Sequence, residues 1–194
     1  MLSAPSAKPQ LDGHMNAHIQ EMLSLPQLIG YAALVIYVAG YRFRNDNTLK
    51  IVFSVSNVFW IVHYYMIHAQ TAALTTAIVT VRNVLSLNAE TFSIKRRMIT
   101  AWIFTVVLLA AGVVTWVGWI SVIPVSTTIA ATHAMLYMRG VSLRKVFFVI
   151  DAAWLVHAVV VLSFGGFVYA FCALIVNAHT IFKMSKDPVV GPTI

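Results

Sequence analysis

The chain alternates long apolar runs with short polar connections. The first run, residues 25–41, has the length of one membrane-spanning helix, since about 20 apolar residues rising 1.5 Å each cross the hydrocarbon core. Three later runs, 49–87, 98–138 and 146–182, are each too long for one span and must fold back. The interruptions at which we expect the turns are His68–Gln70, Gly118 and Ser163–Gly166. The pattern therefore predicts seven spanning helices.

Basic residues mark every second connection between the predicted spans. The second, fourth and sixth connections contain no Lys or Arg. The basic residues at the other connections and after the last span are Arg42, Arg44, Lys50, Lys95, Arg96, Arg97, Arg139, Arg144, Lys145, Lys183 and Lys186. Because basic loops stay in the cytoplasm, this alternation predicts an N-terminus outside and a cytoplasmic C-terminus.

Composition agrees with a chain whose main solvent is lipid. Of the 194 residues 60% are hydrophobic and 10% charged, with a mean hydropathy of +0.83, whereas soluble proteins carry about 25% charged residues. The bilayer is therefore the expected partner. The net charge of +7 is spread over the connections, so no nucleic-acid partner is predicted.

Rare residues recur at a constant offset of 94 positions. The sequence Trp60-Ile-Val-His63 recurs as Trp154-Leu-Val-His157. At the same offset Asn57 corresponds to Asp151 and Asn83 to Asn177. Tryptophan, histidine and asparagine are uncommon in spanning helices, so a shared offset indicates an internal repeat.

The repeat predicts the domain organisation. We expect a polar N-terminal tail at 1–24, repeat 1 at 25–95, a linker helix at 96–119, repeat 2 at 120–184 and a C-terminal tail at 185–194. Each repeat has an odd number of spans, three, so the next repeat would start in the opposite direction. The linker span reverses the chain once more, so both repeats have the same orientation in the membrane. The predicted fold is therefore an all-α integral membrane protein with two parallel three-helix repeats, in a 3+1+3 order.

Polar and aromatic residues within the spans form a candidate substrate site. Along the second and sixth spans they recur on one helical face. The candidate substrate-binding residues are Asn57, Trp60, His63, Asn83, Asp151, Trp154, His157 and Asn177. Indole walls with amide groups suit a small polar molecule that has an apolar face, such as a sugar or a nucleoside.

Arg82 and Asp151 are the charged residues well inside the predicted spans. A charge at the centre of a helix costs about 2.5 to 3.5 kcal/mol on insertion scales, so both should face protein or water. Their predicted depths are similar. We therefore expect an interhelical ion pair or a gate formed by Arg82 and Asp151.

The paired Asn and Trp in a 3+1+3 layout resemble the SWEET sugar facilitators and related PQ-loop carriers. That resemblance implies a central pocket lined by Asn83, Asn177, Trp60 and Trp154. The sequence Ser56-Asn-Val-Phe-Trp60-Ile-Val-His63, followed by Thr80-Val-Arg-Asn83, is similar to the YgjV-type family of bacterial inner-membrane proteins. This second resemblance covers most of the chain and implies a multi-pass protein of the bacterial inner membrane.

A small-solute transporter or facilitator is the predicted function, and two alternatives remain. His63 and His157 could hold a b-type haem between the second and sixth spans, as in an electron carrier. The chain could also be a non-catalytic membrane adaptor. No enzyme motif occurs, so we predict neither catalytic residues nor a metal or other cofactor. A homo-oligomer is compatible with the sequence.

Overall fold

The computed structural model describes residues 23–67, 70–116, 118–160 and 164–186, and contains seven α-helices in these ranges. Short 3-10 turns, Ala89–Thr91 and Trp119–Ser121, precede the fourth and fifth helices. The helices are α1 (Leu25–Gly40), α2 (Asp46–Met66), α3 (Gln70–Leu87), α4 (Ile94–Val114), α5 (Val122–Tyr137), α6 (Gly140–Val160) and α7 (Phe164–Lys186). The described part of the chain has no strand, which confirms the predicted all-α fold with seven helices.

Three segments are long and apolar enough to cross a membrane, namely Ile94–Val114, Trp119–Tyr137 and Gly166–Lys186. Two shorter helical segments, Leu25–Gly40 and Ala73–Leu87, are also apolar. The remaining helices, α2 and α6, have 21 residues each, a length of about 30 Å. They carry more polar residues, as helices do when their polar face is turned away from lipid. The fold is that of an α-helical membrane protein.

Local sequence signals explain several helix ends. The side chain of Asn45 accepts a hydrogen bond from the Thr48 amide at the start of α2, and Ser93 caps α4 through the Arg96 amide. Gly118, in the turn before α5, has a φ of 123°, a conformation that glycine adopts without steric cost. This confirms the turn predicted at Gly118.

The other two predicted turns are tested only in part, because residues 68, 69 and 161–163 lie outside the described ranges. The prediction of a turn through Gly165 and Gly166 was wrong. Helix α7 begins at Phe164, so both glycines belong to its first helical turn. A glycine pair permits a turn but does not require one, and the apolar sequence that follows favours the helix.

Six helices pack in a ring. Helix α2 lies between α1 and α3, and α6 lies between α5 and α7. Contacts between α1 and α7 and between α3 and α5 close the ring. Helix α4 packs mainly against α5, outside the ring.

Buried aromatic side chains fill the ring near the starts of α2 and α6. The rings of Tyr37 and Phe53 stack with centroids 4.0 Å apart, and Tyr41 meets Phe53 edge-on at 5.2 Å. Phe147 of α6 lies 5.7 Å from Phe53. This cluster of Tyr37, Tyr41, Phe53 and Phe147, the aromatic layer, joins α1, α2 and α6.

The basic connections meet at one end of the bundle, which we term the basic end. Arg144 lies 3.7 Å from the Asp46 carboxylate and donates to the Phe43 carbonyl at 2.6 Å. Arg139 forms an ion pair with Glu90, and the Arg44 side chain donates to the carbonyl of Lys183 at 3.2 Å. The α1–α2, α3–α4 and α5–α6 connections therefore lie together with the end of α7. Which side of the membrane this end faces stays a prediction.

Candidate functional site

The six ring helices line a cavity of about 900 Å³, and Leu108, Ala111 and Gly112 of α4 also contribute to its wall. Six of the predicted site residues line it, namely Asn57, Trp60, His63, Asn83, Trp154 and His157. A volume of this size lies within the range of pockets that hold small molecules. The structure thus brings these six residues around one space, and their role in substrate binding stays a prediction.

Two indole–imidazole pairs face the cavity with nearly the same geometry. In α2 the ring centroids of Trp60 and His63 are 5.4 Å apart at an interplanar angle of 78°. In α6 the rings of Trp154 and His157 are 5.2 Å apart at 70°. Each half of the ring therefore presents the same aromatic pair to the cavity.

Helix α1 holds the His63 imidazole in place. The Nδ1 atom of His63 lies 2.7 Å from the Pro26 carbonyl oxygen, an acceptor, so Nδ1 carries the proton and donates it. A Cβ added to Gly30 would lie 3.0 Å from the same Nδ1 atom. The absence of a side chain at Gly30 allows the ring to approach α1 this closely.

The side-chain amides of Asn57 and Asn83 differ in their hydrogen-bond partners. Asn57 is 7% exposed, and its side chain forms no hydrogen bond with the described residues, although it lines the cavity. Buried amides normally have partners, so Asn57 is suited to bonding with a molecule in the cavity. The Oδ1 atom of Asn83 already accepts hydrogen bonds from Arg82, with Nη2 at 2.6 Å and Nε at 3.2 Å.

Arg82 lines the cavity and points toward α5. Its Nη1 atom donates to the Thr132 hydroxyl at 3.0 Å and to the Thr128 carbonyl at 3.3 Å. No ion pair forms between Arg82 and Asp151, both of which belong to the described chain. The predicted ion pair is therefore absent from this conformation, because Arg82 extends to α5 while Asp151 packs beside α1. A gating role for the two residues remains untested.

Asp151 and Asn177 were predicted in the site, but neither lines the cavity. Asp151 is 1% exposed, and neither carboxylate oxygen has a hydrogen-bond partner among the described residues. The hydroxyl of Tyr41 lies near this carboxylate. The Nδ2 atom of Asn177 donates to the Arg144 carbonyl at 3.0 Å and so joins α7 to α6. The repeat offset predicts how far along the bundle axis each residue lies. Which helix packs against each side chain depends on tertiary packing, which the offset does not specify.

Sequence reasoning missed several residues of the cavity wall. Tyr37 and Tyr169 line it with their rings 5.3 Å apart, and Phe53 and Phe147 form its floor toward the basic end. The two phenylalanines share the 94-residue offset, a signal that could have identified them. Tyr37 and Tyr169 have no aromatic residue at that offset, so the repeat carries no signal for them.

The described residues contain no group of three or more His, Cys, Asp or Glu that could hold a metal ion. His63 and His157 both line the cavity, which is the arrangement that the haem alternative requires. That alternative stays a prediction, and the presence or absence of a Soret band in the purified protein decides it.

Comparison with known proteins gives one result. The model of the family Imp-YgjV, described as a bacterial inner membrane protein, matches residues 24–188. The match covers all seven helices. The comparisons with curated proteins and with solved structures return no match.

Proposed function

We propose that this chain, which belongs to the Imp-YgjV family of bacterial inner membrane proteins, is a carrier that moves a small solute through its central cavity. The observation that carries the proposal is the cavity of about 900 Å³ inside the ring, walled by indole, imidazole and amide groups. A purely structural bundle would fill this space with side chains, as close packing favours.

Contacts between equivalent residues support two parallel repeats around this cavity. Asp46 accepts a hydrogen bond from the Gly140 amide at 2.6 Å, and Phe53 packs on Phe147 at 5.7 Å. Both pairs are 94 residues apart. Residues related by a two-fold axis touch only near that axis. Two such contacts, at successive levels, support an axis running between α2 and α6, as in carriers with parallel repeats.

The ring itself has the same symmetry. A two-fold rotation that exchanges α1 with α5 and α3 with α7 converts the α1–α7 contact into the α5–α3 contact, and both contacts exist. Helix α4 has no counterpart, as expected for a linker. In this arrangement one repeat can move against the other around a central solute.

The cavity wall suggests how a solute would be held. The indoles of Trp60 and Trp154 offer flat apolar faces, and the Asn57 amide offers an unused donor and acceptor. The aromatic layer closes the cavity toward the basic end. We propose that this end is cytoplasmic, with the N-terminus outside, so that the structure represents a conformation closed to the cytoplasm.

Ligand-dependent thermal stability of the purified full chain in detergent tests the proposal. A panel of sugars, nucleosides, amino acids and vitamins would be compared on wild type and Trp60→Ala. We expect one class to raise the melting temperature of wild type, and the rise to vanish in Trp60→Ala because a cavity wall is lost. Trp102→Ala is the matched control, since that indole is 59% exposed on α4, outside the cavity lining.

A ligand that stabilises wild type and Trp102→Ala alike, but not Trp60→Ala, would be carried forward to uptake in proteoliposomes. If no solute stabilises wild type, or if Trp60→Ala retains the full response, the cavity is not the binding site. The adaptor alternative would then be favoured.

A further inference from the structure

We infer that the cavity binds a small organic anion, with its carboxylate on the Arg82 guanidinium and its apolar body between the aromatic side chains. This inference rests on the proposed carrier function and names its substrate class. It differs from the neutral solutes that the sequence suggests. Arg82 is 3% exposed, and it lines a cavity large enough for a second molecule.

The partners of Arg82 are neutral. Its four hydrogen bonds go to the Asn83 amide oxygen, twice, and to the Thr128 carbonyl and the Thr132 hydroxyl. These bonds hold the guanidinium in one orientation without cancelling its charge. A guanidinium has five N–H donors, so one N–H of Nη2 is left without an acceptor in the described chain.

The carboxylates of the described chain are placed elsewhere. Asp46 pairs with Arg144, and Glu90 pairs with Arg139 at the basic end. Asp151 is buried beside Tyr41 and forms no ion pair with Arg82. No acidic side chain in the described ranges therefore neutralises Arg82.

Burial of an unpaired cation is costly, and a bound anion removes that cost. Arginine binds carboxylates with short, charge-assisted hydrogen bonds. Elsewhere the same cavity wall contributes the flat faces of Trp60, Tyr64 and Trp154. A ligand that fits both features has a single carboxylate and a planar or apolar body.

Benzoate and benzamide are matched probes, since they share a ring and differ in charge. Binding to the purified full chain in detergent would be measured by tryptophan fluorescence and by thermal shift. For wild type we expect benzoate to bind roughly tenfold or more tighter than benzamide, the factor that one charge-assisted hydrogen bond provides. In Arg82→Gln the preference should vanish, and in Arg82→Lys part of it should remain.

Arg42→Gln is the control, since Arg42 is an exposed arginine at the basic end and should leave the preference unchanged. Equal binding of the two probes to wild type would overturn the inference, and this comparison needs no variant. A preference for benzoate that survives in Arg82→Gln would overturn it too. If benzamide binds as well as benzoate and Trp60→Ala abolishes both, the carrier cavity stands and only the anion assignment fails. If wild type binds neither probe, the assignment fails, and the panel of sugars, nucleosides, amino acids and vitamins tests the carrier function separately.

Discussion

Lys50 and Arg144 occupy the same place in α2 and α6, 94 residues apart, and both are buried. Their partners differ. The Lys50 ammonium donates to the Ser86 carbonyl at 2.9 Å and so ties α2 to α3. The Arg144 guanidinium reaches the Phe43 carbonyl and Asp46, which ties α6 to the α1–α2 connection. The two cations occupy equivalent positions but stabilise contacts between different helices, because the residues around them are not equivalent.

Two aspartates provide a matched test of buried charge. Asp46→Asn removes the charge that faces Arg144, and we expect a loss of about 1 to 3 kcal/mol in unfolding free energy. Asp151→Asn removes a buried carboxylate that has no hydrogen-bond partner among the described residues, so stability should stay the same or rise. Thermal unfolding in detergent measures both. A loss in Asp151→Asn as large as that in Asp46→Asn would show that Asp151 has a stabilising partner.

At the scale of the element, α4 differs from the ring helices in how much of it is exposed. Its buried residues form a narrow seam at three- and four-residue spacing, made of Ala101, Thr105, Leu108 and Gly112. The opposite side presents Trp102, Ile103 and Val106, each more than half exposed. Small residues along such a seam let helices approach closely in a membrane.

At Gly112 this seam packs closely against α5. A Cβ added there would lie 2.5 Å from a methyl carbon of Val125 on α5. We expect Gly112→Ala to lower stability by about 1 to 3 kcal/mol through overpacking, and Val125→Ala in the same chain to restore part of it. Thermal unfolding of the single and double variants checks this.

Val106→Ala is the control for this pair, because Val106 is 61% exposed on the same helix. It should change stability little. No rescue by Val125→Ala would mean that α4 and α5 do not meet at Gly112 as the structure places them.

At the scale of the whole molecule, the connections that carry Lys and Arg lie together at the basic end. The ion pair of Arg139 with Glu90 and the bond from Arg44 to Lys183 join segments far apart in sequence. Basic connections alternate with non-basic ones along the sequence, and in the structure the basic connections lie at one end of the bundle. Both observations indicate that successive helices run in opposite directions. Membrane orientation is a separate question, which reporter fusions can answer.

We expect a green fluorescent protein fused after residue 186 to fluoresce in cells, because basic segments stay in the cytoplasm. Alkaline phosphatase fused at the same position should be inactive, and phosphatase fused after Thr115, at the opposite end, should be active. The reverse result at both positions would show an N-terminus in the cytoplasm and would invert the proposed closed side of the cavity.

Much of the fold could be predicted from the sequence because its causes are local. Span lengths follow from apolar runs, and the turn at Gly118 follows from a glycine between two such runs. The family resemblance was confirmed by the match over residues 24–188. Six of the predicted residues line the cavity, and the sequence could single them out because tryptophan, histidine and asparagine are uncommon in spanning helices.

Only the tertiary structure decided which helix covers each buried side chain. Arg82 extends to Thr132 on α5 instead of pairing with Asp151, and Asn177 bonds to the Arg144 carbonyl outside the cavity. The rings of Tyr37 and Tyr169 contact each other on the neighbouring helices α1 and α7, although neither tyrosine has an aromatic residue at the 94-residue offset. By itself the sequence determined seven helices, a membrane environment and a recurring set of polar and aromatic residues, since these depend on composition and spacing. Partners and cavity walls depend on the packing of distant helices, and spacing along the chain does not specify that packing.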